Sequence, residues 1–145
     1  MNESLITHID PSVCSLNLGD YIISDAVKSM LGELLPEAQV ATIQSQDSWF
    51  SGAYKVLKNS KFSFVGGTNL LSSNMPFYRQ WKLSPVDILF KNEIVLLGVG
   101  WWQYQSGVNF YTKLLYRNIL SNQYIHSVRD DYTKAKLNSI GIINV

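Results

Sequence analysis

The sequence predicts an α/β fold, a Rossmann-like parallel sheet with helices on both of its faces. Short apolar segments alternate with segments of helical periodicity along the chain, which is the pattern of repeated βαβ units. The clearest strand, 94–99, is apolar and uncharged and is followed by Gly100, as expected for a strand buried on both faces. Parallel strands all end at one edge, and open α/β sheets bind ligands outside the carboxyl ends of their strands, so a ligand site is predicted at that edge.

The individual elements follow from apolar spacing and from turn residues. The strongest helix signal is the apolar stripe from Ile22 to Leu35, which Asp20 is expected to cap and Pro36 to end. The connection 66–80 is rich in Gly, Ser and Asn, and connections of this length in compact domains are usually either functional or disordered. The predicted strands are 5–9, 40–43, 61–65, 94–99 and 124–128. The predicted helices are 19–35, 51–59, 85–91, 108–120 and 131–139.

Length, charge and cysteine content exclude several classes of protein. The 145 residues are typical of one domain and suffice for a core without disulfides, and the single cysteine, Cys14, cannot form an intramolecular disulfide. A net charge of +1 gives no basic surface for nucleic acid and no acidic tail. The N-terminal residues lack the features of a signal peptide, and no apolar run is long enough to span a bilayer, so we expect a cytoplasmic protein without a membrane span.

The turn before the first predicted helix, Asn17-Leu18-Gly19-Asp20, is the first candidate site. Gly19 allows a ligand to approach the backbone at a helix N-terminus, where anions are favoured. Alternatively, Asp20 caps the helix itself, and its charge repels an incoming anion. In that second interpretation Asn17 is the better candidate for a ligand contact.

Glycines follow the third predicted strand and surround the end of the fourth. The segments Gly66-Gly67-Thr68-Asn69 and Gly98-Val99-Gly100 either present backbone N–H groups to a ligand or only allow a tight exit from the sheet. Neither segment matches G-x-G-x-x-G or the P-loop, so a nucleotide-binding domain is the less favoured interpretation.

Two tryptophans, Trp101 and Trp102, come directly after the fourth predicted strand and its glycine. An indole ring buries a large apolar area and keeps one polar N–H group. Each ring therefore stacks on a sugar, packs against another domain or packs in the core beneath the loop, and the sequence leaves these interpretations open.

The end of the fifth predicted strand brings polar residues to the same edge. Ser127 and Arg129 are candidate ligand contacts, because a guanidinium group binds carboxylates and phosphates through two parallel hydrogen bonds. Alternatively, Arg129 forms a structural ion pair with Asp130. His126 is expected inside the strand as a hydrogen-bonded core residue. With only two histidines and one cysteine in the chain, we predict no metal site and no cofactor.

Four segments occur in an order and spacing that resemble a known family. They are Asn17-Leu18-Gly19-Asp20-Tyr21-Ile22-Ile23, Val65-Gly66-Gly67-Thr68-Asn69-Leu70-Leu71, Leu97-Gly98-Val99-Gly100-Trp101-Trp102 and His126-Ser127-Val128-Arg129-Asp130-Asp131-Tyr132-Thr133. Together they are similar to the N-terminal half of the polysaccharide pyruvyl transferases. The resemblance implies one half of a GT-B-like two-domain architecture. It also implies transfer of a pyruvyl group from phosphoenolpyruvate to a sugar of a cell-surface polysaccharide.

The resemblance further implies what this chain contributes. Residues 1–145 are expected to be the N-terminal Rossmann-like domain, lining the acceptor side of a cleft, and the apolar segment 141–145 resembles the start of a strand in a longer protein. Asp20 and Asp130 are the candidate catalytic residues for proton transfer. We expect the chain alone to be inactive, and to associate with the missing C-terminal half or with itself. The alternative is a non-catalytic module that binds a glycan or a protein partner.

Overall fold

The computed structural model describes residues 4–145. Residues 1–3, which belong to the N-terminal segment considered above for a signal peptide, lie outside the described residues. Within residues 4–145, five strands form one sheet in which all neighbouring pairs are parallel. The strands are β1 Leu5–Asp10, β2 Gln39–Gln44, β3 Phe62–Gly66, β4 Glu93–Val99 and β5 Ser127–Val128. Their order in the sheet is β2-β1-β3-β4-β5. The helices are α1 Leu18–Leu34, α2 Ser51–Asn59, α3 Phe110–Ile119 and α4 Asp131–Ser139, with a 3-10 helix at Pro85–Leu89. No helix in this part of the chain is both long and apolar enough to cross a membrane.

Helices lie on both faces of the sheet, as predicted. Ile9 and Val65 belong to the main apolar cluster, which also contains Leu57 of α2 and Leu115 of α3. The same face of β1 carries Thr7, whose hydroxyl group lies 2.7 Å from the hydroxyl group of a serine at the end of α2. Side chains alternate between the faces of a strand, so the intervening residues of β1 and β3 face α1 on the other side.

The helix α1 packs directly on the end of β3 because two glycines leave room for it. A Cβ atom placed on Gly66 would lie 2.7 Å from Cγ2 of Val27 in α1. A Cβ atom on Gly67 would lie 1.9 Å from Cγ2 of Ile23, one helical turn earlier. Gly67 also has a φ of +55°, a conformation that glycine adopts without the strain that other residues incur. Any larger residue at either position would push α1 away from the sheet.

The cap of α1 differs from the prediction. Asn17, and not Asp20, caps the helix, and the Asn17 Oδ1 atom accepts a hydrogen bond from the Gly19 amide at 3.1 Å. Asparagine is as good an N-cap as aspartate, so the sequence did not distinguish the two positions. Asp20 lies in the first turn of the helix and is only 4% exposed.

The fifth strand is shorter than predicted, and 141–145 is not a strand. The Leu96 amide in β4 donates to the Nδ1 atom of His126 at 3.1 Å, and the His126 amide donates to the carbonyl group of Asn144 at 2.7 Å. These two bonds replace the ladder that residues 124–126 would form with β4. His126 is buried and hydrogen-bonded, which confirms its predicted core role, but it lies just before the strand. The other elements agree with the prediction within two residues, although Pro85–Leu89 is a 3-10 helix.

The strand order creates a crevice at one place along the edge of the sheet. From β1 the chain moves to β2 on one side, and it then crosses to β3 on the other side of β1. The connections that leave β1 and β3 therefore separate in opposite directions above the sheet. Ligands of open α/β proteins bind at such a switch point. Here the flanking segments are 11–17 after β1 and 67–71 after β3.

A buried polar network at the end of β1 also fixes α1. The Asp10 carboxylate accepts hydrogen bonds from the Ser24 hydroxyl at 2.6 Å and the Ser12 amide at 2.8 Å, and it pairs with Lys28 at 3.1 Å. Burial acts most strongly and raises the pKa of Asp10, but the hydrogen bonds together outweigh it and hold the pKa at about 2, below the ordinary 3.8. The buried His8 ring lies 3.7 Å from this carboxylate. Neither of its nitrogens has a hydrogen-bond partner among the described residues, and burial lowers its pKa from 6.5.

His8 should make the fold sensitive to mild acid. Because its pKa is lowered in the folded protein, the unfolded chain takes up the proton first, so its contribution to stability is complete above about pH 6.5 and is lost as the pH falls. We expect His8→Leu to remove part of the loss in unfolding free energy between about pH 7 and pH 5, while costing little at pH 8, since no hydrogen bond is removed. Urea denaturation across this pH range measures both effects.

His126→Leu is the matched control. The pKa of His126 is also lowered by burial, but its ring is bonded to the Leu96 amide and to the Ser121 carbonyl group. At pH 8 that substitution should lower the unfolding free energy by about 1–3 kcal/mol, because it leaves buried partners unpaired, whereas His8→Leu should cost little there. Since the pKa of His126 is lowered too, its removal should also reduce the loss in unfolding free energy toward pH 5. If His8→Leu keeps the full pH dependence of the native chain, the role given to His8 is wrong.

Candidate functional site

A cleft of about 630 Å³ lies at the switch point and is called the switch-point cleft below. Its size falls within the range of small-molecule sites. Most of its lining is polar and uncharged, and Asp20 is the one lining residue with an ionisable acid or base. The lining residues are Ser15, Leu16, Asn17, Asp20, Gln46, Thr68, Asn69, Leu70, Gln80 and Trp102. The predicted candidates Asn17, Asp20, Thr68, Asn69 and Trp102 are thus brought together from three separate segments.

One wall of the cleft is organised around the Asp20 carboxylate. The Oδ2 atom of Asp20 accepts a hydrogen bond from the Ser15 hydroxyl at 2.6 Å and another from the Gln46 side-chain amide at 3.3 Å. The first turn of α1 favours a carboxylate, because the backbone N–H groups at a helix N-terminus carry partial positive charge. Oδ1 accepts no hydrogen bond within the described residues. These two bonds hold the carboxylate in one orientation.

Gln46 and Ser15 were missed at the sequence level. Gln46 follows β2, and its side-chain amide also donates to the Pro11 carbonyl group at 3.1 Å, which ties the end of β2 to the end of β1. No spacing rule relates Gln46 to Asp20, because they meet only through the parallel pairing of β1 and β2.

The opposite wall begins with a sharp turn after β3. Thr68 has a φ of +48°, which is unusual for a β-branched residue. Strained backbone conformations of this kind cluster at functional sites. Asn69 then lies against Gly100, where an added Cβ atom would be 2.1 Å from Asn69 Oδ1. The amides of Gly67 and Gly100 donate to the carbonyl groups of Leu97 and Thr68, at 2.8 and 2.9 Å. These glycines thus allow a tight exit and close packing, and their N–H groups already have partners inside the protein.

The two tryptophans occupy different environments. Trp101 is 4% exposed and lies in the core, where its indole N–H group is 3.2 Å from both Ser73 Oγ and Gln105 Oε1. Trp102 lines the cleft, and its ring stacks on Tyr78 with the ring centres 3.7 Å apart and the planes inclined by 22°. Gln80 donates to the Tyr78 hydroxyl at 2.9 Å. Tyr78 and Gln80 belong to the connection 66–80, which its length and composition predicted to be functional or disordered.

Arg129 lies beside the cleft and not in its lining. Its Nη1 atom donates to Asn69 Oδ1 at 3.2 Å, and its guanidinium group forms no side-chain bond to Asp130. Two smaller cavities adjoin it, one of about 490 Å³ that Ser127 also lines and one of about 210 Å³ that Asn69 and Asp130 also line. Thr68 and Asn69 therefore lie at the boundary between the switch-point cleft and the surface near Arg129.

Asp130 serves as the cap of α4. Its Oδ1 atom accepts a hydrogen bond from the Thr133 amide at 2.7 Å. That bond, followed by the bond from the Thr133 hydroxyl, lowers the pKa of Asp130. The Asp130 carboxylate is thus bonded as a helix cap, whereas Asp20 lines the cleft.

Fold and site together define a doubly wound α/β domain with a polar cleft at its switch point. The family model for polysaccharide pyruvyl transferase matches residues 17–145, and the chain belongs to that family. The match begins at Asn17, the first residue of the four segments that carry the resemblance. A search of curated proteins and a search of solved structures each returned no significant match.

The turn after β3 gives a test of how the cleft is positioned. Gly67→Ala places a methyl group against Ile23 and strains the backbone, so the unfolding free energy should fall by roughly 2–5 kcal/mol, the sum of an overpacking term and a left-handed-backbone term. Gly98→Ala is the control, because Gly98 has a φ of +67° with no atom near the added methyl group, and its cost should be about 1–2 kcal/mol. Equal losses for the two variants in urea denaturation would show that the contact with α1 does not matter.

Proposed function

We propose that this chain forms the acceptor side of a cytoplasmic transferase that moves a pyruvyl group from phosphoenolpyruvate to a sugar of a cell-surface polysaccharide. Family membership supports the class of reaction. The single observation that supports the acceptor role is the lining of the switch-point cleft, which combines hydroxyl and amide side chains with an aromatic ring. Such groups match the hydroxyl-rich edges and apolar faces of a sugar.

The proposed reaction makes two new C–O bonds at C2 of phosphoenolpyruvate. One sugar hydroxyl oxygen attacks C2 while C3 takes up a proton and becomes a methyl group. A second hydroxyl oxygen of the same sugar then attacks C2, and the bond from C2 to the phosphate oxygen breaks. The products are a cyclic pyruvate ketal and inorganic phosphate, and the two hydroxyl protons end on the methyl carbon and on phosphate. Such a reaction needs a base near the sugar and an acid near C3.

Asp20 is the better of the two candidate catalytic carboxylates for the base. It lines the cleft, is oriented by Ser15 and Gln46, and has a free oxygen for a sugar hydroxyl. Arg129 is the candidate contact for the donor anion, because its planar donors fit a carboxylate or phosphate. Asn69 joins the two regions, since it lines the cleft and accepts a bond from Arg129.

In the proposed enzyme, a second domain or a second copy of the chain supplies the part of the donor site that this chain lacks. None of the residues that line the switch-point cleft is Lys, Arg or His, whereas phosphoenolpyruvate carries both a carboxylate and a phosphate. The single positive charge of Arg129, beside the cleft, balances only part of the negative charge of phosphoenolpyruvate. We therefore expect further donor contacts from a second domain, as in a GT-B-like architecture, or from a second copy of the chain.

A non-catalytic glycan-binding module is the second candidate function. The observation that favours it is the same neutral lining, which can bind a sugar without the cations that a phosphoenolpyruvate site requires. The two functions differ in whether inorganic phosphate is released.

Phosphate release separates the two functions. Phosphoenolpyruvate and a panel of oligosaccharides are incubated with this chain and, separately, with the protein of the complete reading frame. We expect sugar-dependent phosphate release from the complete protein and none from this chain alone, because the donor contacts are incomplete. Phosphate release by this chain alone in its monomeric form would contradict the need for a second unit. Glycan binding by the complete protein without phosphate release would favour the binding module.

Arg129→Lys tests the proposed anion contact. In the complete protein we expect transfer efficiency to fall at least tenfold, because a charge-assisted bidentate contact is worth roughly 1.5–3 kcal/mol. The melting temperature should hardly change, since Arg129 is exposed and its side chain forms one hydrogen bond. Arg117→Lys, on the exposed side of α3, is the control and should alter neither quantity. A lower melting temperature with unchanged kinetics would assign Arg129 a structural role.

A further inference from the structure

We infer that the switch-point cleft selects an uncharged sugar, which stacks on Trp102, and that the Asp20 carboxylate excludes acidic sugars. This inference rests on the proposed function, because it assigns the acceptor class to the same cleft. It is specific to the residues that line the cleft and makes no assumption about the donor.

The Trp102 ring is held as a rigid surface. One face of the ring is covered by the stacked Tyr78 ring, and the Trp102 backbone amide donates to the Leu71 carbonyl group at 2.6 Å. Gln80, which also lines the cleft, fixes the Tyr78 hydroxyl. Since the ring remains partly exposed and lines the cleft, it offers an apolar surface that is already ordered before a ligand binds. The CH groups of a pyranose ring suit such a surface, and prior order lowers the entropic cost of binding.

The polar side chains that line the cleft favour a neutral ligand. Asn17, Gln46 and Asn69 supply amide groups that both donate and accept, as sugar hydroxyls do. The one charge in the lining is the Asp20 carboxylate, whose free Oδ1 can accept a hydroxyl hydrogen bond. A sugar that carries its own carboxylate would lose water on entering, find no cation in the lining, and face a like charge.

Arg129 does not compensate for a carboxylate inside the cleft. It lines the two neighbouring cavities and not the cleft, and its guanidinium group is bonded to Asn69 on the boundary. Asp20 lines only the cleft. Asp20 and Arg129 therefore lie on different sides of Asn69, which lines the cleft and accepts the bond from Arg129.

Direct binding to the 145-residue chain tests the inference. Methyl glycosides of glucose, galactose and mannose are compared with methyl glucuronoside and methyl galacturonoside, by saturation-transfer NMR and titration calorimetry at neutral pH. We expect the best neutral glycoside to bind at least tenfold more tightly than its uronic counterpart, which corresponds to about 1.4 kcal/mol. Trp102→Ala should weaken binding of neutral glycosides roughly tenfold. Circular dichroism of each variant verifies that it is folded.

Removal of the Asp20 charge tests whether this carboxylate causes the selectivity. Asp20→Asn keeps the size of the side chain and should bring the uronoside to within about threefold of the neutral glycoside, as expected once the like-charge repulsion is gone. Asp25→Asn removes the same charge from an exposed position of α1 outside the cleft lining and should leave the selectivity unchanged. Equal binding of neutral and acidic sugars, absence of binding by all glycosides, or equal effects of the two substitutions would each overturn the inference.

The inference and the proposed function can fail separately. Selective binding of neutral sugars, with no phosphate release from phosphoenolpyruvate by the complete protein, would contradict the transferase and support the subsite. Transfer of pyruvate to an acidic sugar bound in this cleft would support the transferase and overturn the subsite.

Discussion

The close packing of α1 on the end of β3 is the constraint on which the candidate site depends. Val27 and Ile23 lie where Cβ atoms on Gly66 and Gly67 would stand, so the helix approaches as near as a strand backbone allows. This contact sets the distance between the first turn of α1, which carries Asp20, and the turn at Thr68. If α1 were displaced by one side chain, the two walls of the switch-point cleft would separate. Gly66 and Gly67 therefore affect the site indirectly, because they allow α1 to pack close to the sheet.

The Asp10 network fixes the rotation of the same helix. Apolar contacts are non-directional, so the packing of α1 on two glycines alone would allow the helix to turn about its axis. The bonds from Ser24 and Lys28 to Asp10 are directional and bind one face of α1 to the end of β1. Burial of a carboxylate is costly unless its oxygens are bonded, and here the bonds more than offset it, as the lowered pKa of Asp10 shows. Distance and orientation of α1 thus have separate physical causes.

Sequence reasoning recovered the features that depend on local pattern. The alternation of apolar and helical segments predicted the parallel sheet, and the glycines after β3 and β4 marked the edge at which the chain turns. It could not recover features decided by contacts distant in the chain. The length of β5 depends on the His126 ring, which takes the Leu96 amide that a longer ladder would use. The contact between Gln46 and Asp20 likewise exists only because β1 and β2 pair in parallel.

The adjacent tryptophans show how the core and the site are joined at the end of β4. Trp101 is held by its indole N–H group and by a bond from its backbone amide to the Thr133 hydroxyl of α4 at 2.9 Å, and its ring meets Tyr116 edge to face. Because the backbone of Trp101 is held in place, the backbone of the next residue, Trp102, is positioned as well, and the Trp102 side chain lines the cleft. A ligand stacked on Trp102 would thus rest on a surface anchored in the core, and its position relative to Asp20 would be set by the sheet and not by loop motion. Such an arrangement favours recognition of a sugar by shape at small entropic cost.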